Sequence, residues 1–333
     1  MIVFITSCQK KGLDIRVITD KDTSYSLDIR SVSEKINKNP QSAELYFNRA
    51  NAFYFEDNLK EAIIDINAAI YYDSINADYH YYHGKYLMSG DTANSQLAEN
   101  AFLKALHLKN NYSDAHQALA YLYLAKQQYD LAEIHYTEAS KITPSNPEPI
   151  FYLGMIAKEI GDTAKAILLF EKTLVYDSKH YDAIMQLGLF YANKNDKKTI
   201  VFLDRALAIN EYSDEALYAK GLYFQNNQKL KEASILYENC IRVNPSHIFS
   251  RYNLALLNAM ALDYDNAIKN LDAAIGLSPD YADAYTLRGR VFEMKKDKTR
   301  AYFDYVKAIN LDDNQTLAKE GLKRVNINVT LSN

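Results

Sequence analysis

The stretch Ser113–Asn146, SDAHQALAYLYLAKQQYDLAEIHYTEASKITPSN, contains the pattern that determines the fold. Small residues stand at Ala120, Ala132 and Ala139, and apolar residues recur around them at spacings of three and four, which is typical of two amphipathic helices. Tyr136 lies between the second and third alanines, where a large ring can pack against a small residue of the other helix. The stretch therefore predicts a helical hairpin.

The same spacing recurs along the chain. A glycine or alanine comes back every 33 to 36 residues, at Ala50, Gly84, Ala120, Gly154, Gly188, Gly221, Ala255 and Gly289. Each is followed, in the second helix of its hairpin, by a large apolar residue at Ile66, Phe102, Tyr136, Phe170, Leu203, Tyr237, Leu271 and Tyr305. One hairpin cannot bury its whole apolar face, so the hairpins are predicted to stack on one another.

Composition narrows the class of protein. The 333 residues include only 10 Gly and 6 Pro, too few turn residues for a β-sandwich or barrel, and 48% are hydrophobic, which excludes disorder over most of the length. A net charge of −4 gives no basic face, so no nucleic-acid partner is expected. No apolar run is long enough for a transmembrane helix. The chain has 28 Tyr and no Trp, and this excess of tyrosine needs an explanation.

The pattern resembles the tetratricopeptide repeat (TPR) family, most closely through Leu119-Ala120, Tyr123, Tyr136 and Pro144. The resemblance implies an all-α fold, a right-handed α-solenoid of eight helix-turn-helix repeats with flanking helices. The repeats would span 43–76, 77–112, 113–146, 147–180, 181–213, 214–247, 248–281 and 282–315. A half-repeat helix at 27–40 would precede them, and a capping helix at 316–325 and a tail at 326–333 would follow. Where the family has tryptophan, the chain carries Tyr46, His80, His116, Ile150, Ile184, Leu217, Arg251 and Tyr285.

The N-terminal segment supports a separate hypothesis. Residues 1–8 are apolar apart from Thr6 and Ser7, and Ile5-Thr6-Ser7-Cys8 resembles the lipobox of bacterial lipoproteins, in which the cysteine is lipidated. The polar segment 9–26 suits a tether. Because the basic start and full apolar core of a secretory signal are missing, two interpretations stay open. Either the true start lies upstream and the protein is an outer-membrane lipoprotein facing the periplasm, held by a lipid on Cys8, or the match is accidental and the protein is cytoplasmic.

No catalytic, cofactor or metal site is predicted, and the chain is expected not to be an enzyme. His80 and His83 lie three residues apart on one helix face, with His116 one repeat later, but a zinc site needs a third protein ligand and no carboxylate motif supports one. Structural roles explain these histidines equally well. Cys240 stands at a small-residue position, which predicts packing.

The resemblance places the first helix of each repeat on a concave face. Groove-facing residues would then be Phe47, Asn51, Tyr81, Lys85, Tyr121, Phe151, Met155, Met185, Leu189, Tyr218, Leu222, Tyr252 and Leu256. These side chains either fill space between adjacent first helices or form an apolar, tyrosine-rich strip that binds a partner, since Tyr offers rigid area and a hydroxyl.

The functional prediction is a non-enzymatic scaffold or adaptor that binds a peptide or protein segment in this groove, as a membrane-tethered bacterial lipoprotein of an envelope assembly. The alternative is a cytoplasmic adaptor or co-chaperone-like module, in which Cys8 has no role.

Overall fold

The computed structural model describes residues 18–19, 22–90 and 94–325, and within these ranges the chain forms eighteen α-helices and no strand. The chain divides into two compact units, Met1–Asp177 (unit 1) and Ser178–Asn333 (unit 2). The helices of unit 1 are α1 Leu27–Lys38, α2 Ala43–Phe55, α3 Leu59–Tyr72, α4 Ala77–Met88, α5 Ser95–Leu108, α6 Ser113–Ala125, α7 Tyr129–Ile142, α8 Pro147–Glu159 and α9 Thr163–Tyr176. The helices of unit 2 are α10 Tyr181–Asn193, α11 Lys198–Ile209, α12 Asp214–Asn226, α13 Leu230–Val243, α14 Ile248–Met260, α15 Tyr264–Leu277, α16 Ala282–Met294, α17 Lys298–Leu311 and α18 Thr316–Val325.

Within each unit, consecutive helices pair as hairpins and each hairpin packs on the next. Polar side chains cap the start of several first helices, because the first N–H groups of a helix have no partner inside it. The Ser213 hydroxyl accepts from the Ala216 N–H at 3.0 Å, and His247 Nδ1 accepts from the Ser250 N–H at 3.1 Å. The cap at His247 therefore requires that nitrogen to be unprotonated.

The turn inside most hairpins contains one residue in the left-handed conformation. Gly161 has φ +85°, and a side chain added there would meet nothing within 4 Å. The other such turns use non-glycine residues at φ 51° to 64°, namely Asp57, Gln127, Asn195, Gln228, Leu262 and Lys296. The low glycine content thus reflects a turn that the chain builds mostly from polar residues, at a conformational cost that glycine would avoid.

The predicted contact between a small and a large residue is confirmed in every hairpin that has glycine at the small position. A Cβ added to these glycines would lie 2.6–2.9 Å from a ring or leucine side chain of the partner helix. Those distances are too short for carbon atoms, so the absent side chain lets the two helices approach. The pairs are Gly84 with Phe102, Gly154 with Phe170, Gly188 with Leu203, Gly221 with Tyr237, and Gly289 with Tyr305.

A buried ion pair joins the first hairpin to α1. The Arg49 guanidinium donates to both carboxylate oxygens of Asp65, from Nε at 2.6 Å and from Nη2 at 2.8 Å, and from Nη1 to the Ser33 hydroxyl of α1 at 3.1 Å. Arg49 is 2% exposed and Asp65 1%. In unit 2, Arg288 and Asp304 form the same two-pronged pair at the same separation of sixteen residues, at a partly exposed position.

Candidate functional site

Polar residues at the family's tryptophan position share one structural task. Each hydrogen-bonds to the backbone carbonyl six residues earlier, in the turn that precedes its helix. His80 Nε2 lies 2.9 Å from the Ser74 oxygen, and His116 Nε2 lies 3.1 Å from that of Asn110. These contacts assign His80 and His116 structural roles. The other pairs are Tyr46 with Pro40, Arg251 with Pro245, and Tyr285 with Pro279.

His116 and His135 contact each other. His116 Nδ1 lies 2.9 Å from His135 Nδ1, and since His116 Nε2 donates to a carbonyl, neutral His135 donates to His116. Burial lowers the pKa of His135, and His116 lowers it further. Burial also lowers the pKa of His83 to about 4. Within the described ranges, no three His, Cys, Asp or Glu side chains come together as metal ligands.

An open cavity of about 420 Å³ in unit 1 collects several of the predicted groove residues. Tyr81 and Lys85 of α4 and Tyr121 of α6 all line it. Their side chains share this space because α4 and α6 are the first helices of neighbouring hairpins. We call this space the tyrosine cavity, and its lining is Tyr54, Tyr81, Lys85, Met88, Ser89, Phe102, Asp114, Gln117, Ala118, Tyr121, Tyr136, Glu148 and Tyr152.

Aromatic contacts hold the rings of the tyrosine cavity in place. Tyr152 stacks on Tyr136, with ring centroids 5.1 Å apart and planes 7° from parallel, and meets the edge of Tyr121 at 6.4 Å. Tyr81 packs against Phe102 at 6.0 Å. Tyr121 is 50% exposed, whereas Tyr136 is 1% exposed. The rings of the cavity wall therefore support one another, and Tyr121 is the most exposed ring among them.

Charge at the tyrosine cavity is mainly negative. Asp114 and Glu148 contribute carboxylates, and Lys85 is the one cation among the described residues that line it. The Lys85 ammonium lies 5.4 Å from the centre of the Tyr54 ring and 5.5 Å from that of Tyr82, so ring faces hold it.

The carboxylates contribute to the raised pKa values of nearby tyrosine hydroxyls. Burial and, to a smaller extent, the neighbouring Asp114 raise the pKa of Tyr81 to about 12. The pKa of Tyr136 is raised by burial first, and Glu148 adds to that rise. Both hydroxyls stay protonated over the physiological range, and the hydroxyl of the partly exposed Tyr81 can donate a hydrogen bond to a ligand.

Other predicted groove residues of unit 1 are occupied by packing. Asn51 accepts from the Tyr86 hydroxyl at 2.8 Å, and Phe47 packs against Tyr79 and Tyr82. Phe151 is 7% exposed and therefore matches the space-filling interpretation. Met155, on the same helix, is half-buried.

In unit 2 the predicted groove residues divide similarly. Met185 is 2% exposed and belongs to the interior, while Leu189 and Leu222 are half-buried. Tyr218 packs against His247 with ring centroids 4.9 Å apart. Tyr252 and Leu256 line a second cavity, of about 570 Å³, together with Arg290, Glu293, Arg324 and other residues of α16 to α18.

Sequence reasoning missed several residues of the tyrosine cavity. Tyr152 stands two positions before Gly154, one place away from the position that the prediction used. Asp114 and Glu148 stand in the first turns of α6 and α8, and both also line the cavity. Tyr54 and Tyr136 reach it from other hairpin positions. The feature of the sequence that could have indicated these residues was the high tyrosine content, but it does not predict which rings come together.

Cys8 and the segment 9–17 lie outside the described residues, so the lipobox hypothesis has no structural counterpart. Cys240 is fully buried, its thiol donates to the Asp214 carbonyl at 3.4 Å, and burial raises its pKa. In the part of the chain that the structure describes, no helix has the length and apolar character to cross a bilayer.

Two profiles, both described as tetratricopeptide repeat, match the sequence. One matches residues 43–76, 113–146 and 214–247, and the other matches 252–310. Together with the helical hairpins, these matches show that the chain belongs to the tetratricopeptide repeat family, and the predicted fold class is confirmed. Such repeats form surfaces that bind proteins, so the chain is a protein-interaction scaffold.

Curated relatives are similar over part of their length. The chain is 27% identical to "BBSome complex member BBS4" of Bos taurus over 228 residues, which is 68% of the chain and 43% of the relative. It is 26% identical to "Anaphase-promoting complex subunit 3" of Schizosaccharomyces pombe over 161 residues, 47% and 24% of the two chains. The chain therefore spans less than half of these relatives. A further relative, 21% identical over 232 residues (69% of the chain and 23% of the relative), is named "Protein O-mannosyl-transferase TMTC1", from Homo sapiens.

Among solved structures, the C-terminal part of a TPR repeat-containing protein from Cytophaga hutchinsonii is similar, with a TM-score of 0.60 and 19% identity. The likeness covers 74% of this chain and 99% of that one. At this identity it supports the fold alone.

Proposed function

We propose that the chain is a non-enzymatic scaffold that holds a segment of a partner protein in the tyrosine cavity of unit 1. The observation that carries the proposal is the gathering of Tyr81, Tyr121 and Tyr152 around one open space, with Tyr121 half exposed. Tyrosine gives large contact area with few rotamers to freeze, and its hydroxyl adds a hydrogen bond. The two curated relatives named as complex subunits support a role within an assembly.

Tyr121→Ala tests the proposal. A random-peptide library displayed on phage, selected on the wild-type chain, is expected to yield binding peptides. Their affinity for Tyr121→Ala should be about thirtyfold weaker, because removing a central aromatic contact costs about 2 kcal/mol. The measurement is titration of each synthetic peptide by fluorescence anisotropy.

The matched control is Tyr212→Ala, since Tyr212 is 68% exposed and does not line the tyrosine cavity. It should leave peptide affinity unchanged, and both variants should keep the helicity and melting temperature of the wild type. If no peptide is enriched, or if both variants lose affinity equally, the cavity is not the binding site.

We also propose that a lipid on Cys8 tethers the scaffold to a bacterial outer membrane, facing the periplasm. The sequence Ile5-Thr6-Ser7-Cys8, followed by a polar segment, supports this. In bacteria expressing the protein from its native gene, wild-type protein should incorporate labelled fatty acid and Cys8→Ala should not. Equal labelling, or recovery of the wild type in the cytosol alone, would favour the cytoplasmic adaptor instead.

A further inference from the structure

The tyrosine cavity combines ring faces with an excess of negative charge. Asp114 comes from α6 and Glu148 from α8, so two different helices place a carboxylate on the same space. Tyr121 and Tyr152 lie on those same two helices and meet edge to face. Carboxylates and tyrosine rings therefore line one volume of about 420 Å³.

Lys85 does not remove this excess of negative charge. Its ammonium lies against the rings of Tyr54 and Tyr82. One cation against two carboxylates leaves the lining net negative. An acidic segment would be repelled here, whereas a basic one would gain from both the carboxylates and the rings.

The chemistry distinguishes between the two basic side chains. A guanidinium is planar, stacks on aromatic faces, is weakly hydrated and can donate to two carboxylate oxygens at once. An ammonium is a compact and strongly hydrated charge that gains less from a ring face. The pairing of tyrosine faces with carboxylates thus suits arginine better than lysine.

Resting on the function proposed above, we propose that the tyrosine cavity selects its partner segment through an arginine side chain. The guanidinium lies against Tyr121 and Tyr152 and faces the carboxylates of Asp114 and Glu148. The occupant is thus a protein segment that carries arginine beside apolar residues, which the rest of the aromatic wall accommodates.

The test uses the full chain and the peptides selected from the random library. The selected peptides are expected to be enriched in arginine. Replacement of that arginine by citrulline, which has similar shape but no charge, should weaken binding about tenfold, and replacement by lysine should weaken it less. Peptides that bind in the cavity without any basic residue would overturn the arginine inference and leave the proposed function standing, whereas no enrichment at all would contradict both.

Asp114→Asn separates charge recognition from shape. The substitution should weaken binding of the arginine peptide about tenfold and leave the affinity for the citrulline peptide unchanged. The loss from Asp114→Asn and the loss from citrulline are therefore not additive. Asp182→Asn is the matched control, because Asp182 is also an exposed acid in the first turn of a first helix and has the same effect on the helix dipole. If the arginine peptide bound Asp114→Asn as tightly as it binds the wild type, the inference would be overturned.

Discussion

Arg49 and Asp65 show how one residue pair ties elements together. Their charges are almost fully removed from water, and they are hydrogen-bonded to each other and, through Arg49, to Ser33 of α1. A buried ion pair of this kind contributes little compared with an apolar pair of equal size, but losing one partner leaves a charge stranded in the interior.

Asp65→Ala is therefore expected to lower the free energy of unfolding by about 3–5 kcal/mol, measured by urea denaturation. The double variant Arg49→Met with Asp65→Leu should recover most of that loss because it leaves no unpaired charge. Lys141→Ala is the control, since Lys141 and its partner Glu138 are 63% and 43% exposed, and it should change nothing measurable. A small effect of Asp65→Ala would show that water reaches Arg49.

At the scale of the helices, close approach within a hairpin depends on absent side chains. Gly154 lies against Phe170, and a Cβ added there would be 2.8 Å from the ring, which is itself fully buried. Gly276 also lies in a helix, α15, but a Cβ added there would meet nothing within 4 Å. The two glycines thus differ in surroundings while sharing the same backbone conformation.

Gly154→Ala is expected to destabilise the protein by about 1–3 kcal/mol, because the buried ring must move or the helices must separate. Gly276→Ala should stabilise it by up to about 1 kcal/mol, because alanine favours helix and no neighbour opposes it. Thermal unfolding followed by circular dichroism at the helix band measures both. Stabilisation by both substitutions would mean that the Phe170 ring moves at no cost.

The hairpins were predictable at this scale because the sequence pattern that specifies each of them lies within about one repeat. Spacings of three and four and the small-residue period fix each helix and its partner. The left-handed turn residues were less predictable, because Leu262 and Lys296 hold a conformation that their side chains do not favour and that only the packing of the flanking helices imposes.

At the scale of the whole molecule, several histidines are held neutral. Burial lowers the pKa of His83 to about 4, and it lowers the pKa of His135 and His247 as well. In the unfolded chain these groups take up a proton near about pH 6.5. Between about pH 6.5 and pH 4 the unfolded chain therefore binds more protons than the folded one, and stability falls as the pH falls.

We expect the melting temperature to drop by several degrees between about pH 7 and about pH 5, and we expect His83→Gln to show a smaller drop. Differential scanning calorimetry across that range measures both. A melting temperature that stays constant on acidification, or an identical pH profile for the variant, would contradict the lowered pKa of His83.

The tyrosine content has a different explanation at each scale. Tyr136, Tyr237 and Tyr305 are interior residues that pack against the small positions of their hairpins, as the repeat pattern indicates. Tyr46 and Tyr285 replace the family's tryptophan and hydrogen-bond to a turn carbonyl. Tyr54, Tyr81, Tyr121 and Tyr152 belong to neither group, and they line the tyrosine cavity.

The sequence by itself determined the helices, their pairing and the family, because these follow from short-range periodicity and from the size of residues at fixed spacings. It also predicted Tyr81, Lys85 and Tyr121 as groove residues, and all three line the tyrosine cavity. Only the tertiary structure separated the buried Phe151 and Met185 from the accessible Tyr121, and only it placed Asp114, Glu148 and Tyr152 beside that ring. Exposure and charge at a cavity depend on the rotamers and neighbours of residues from several helices, which a repeat period does not encode.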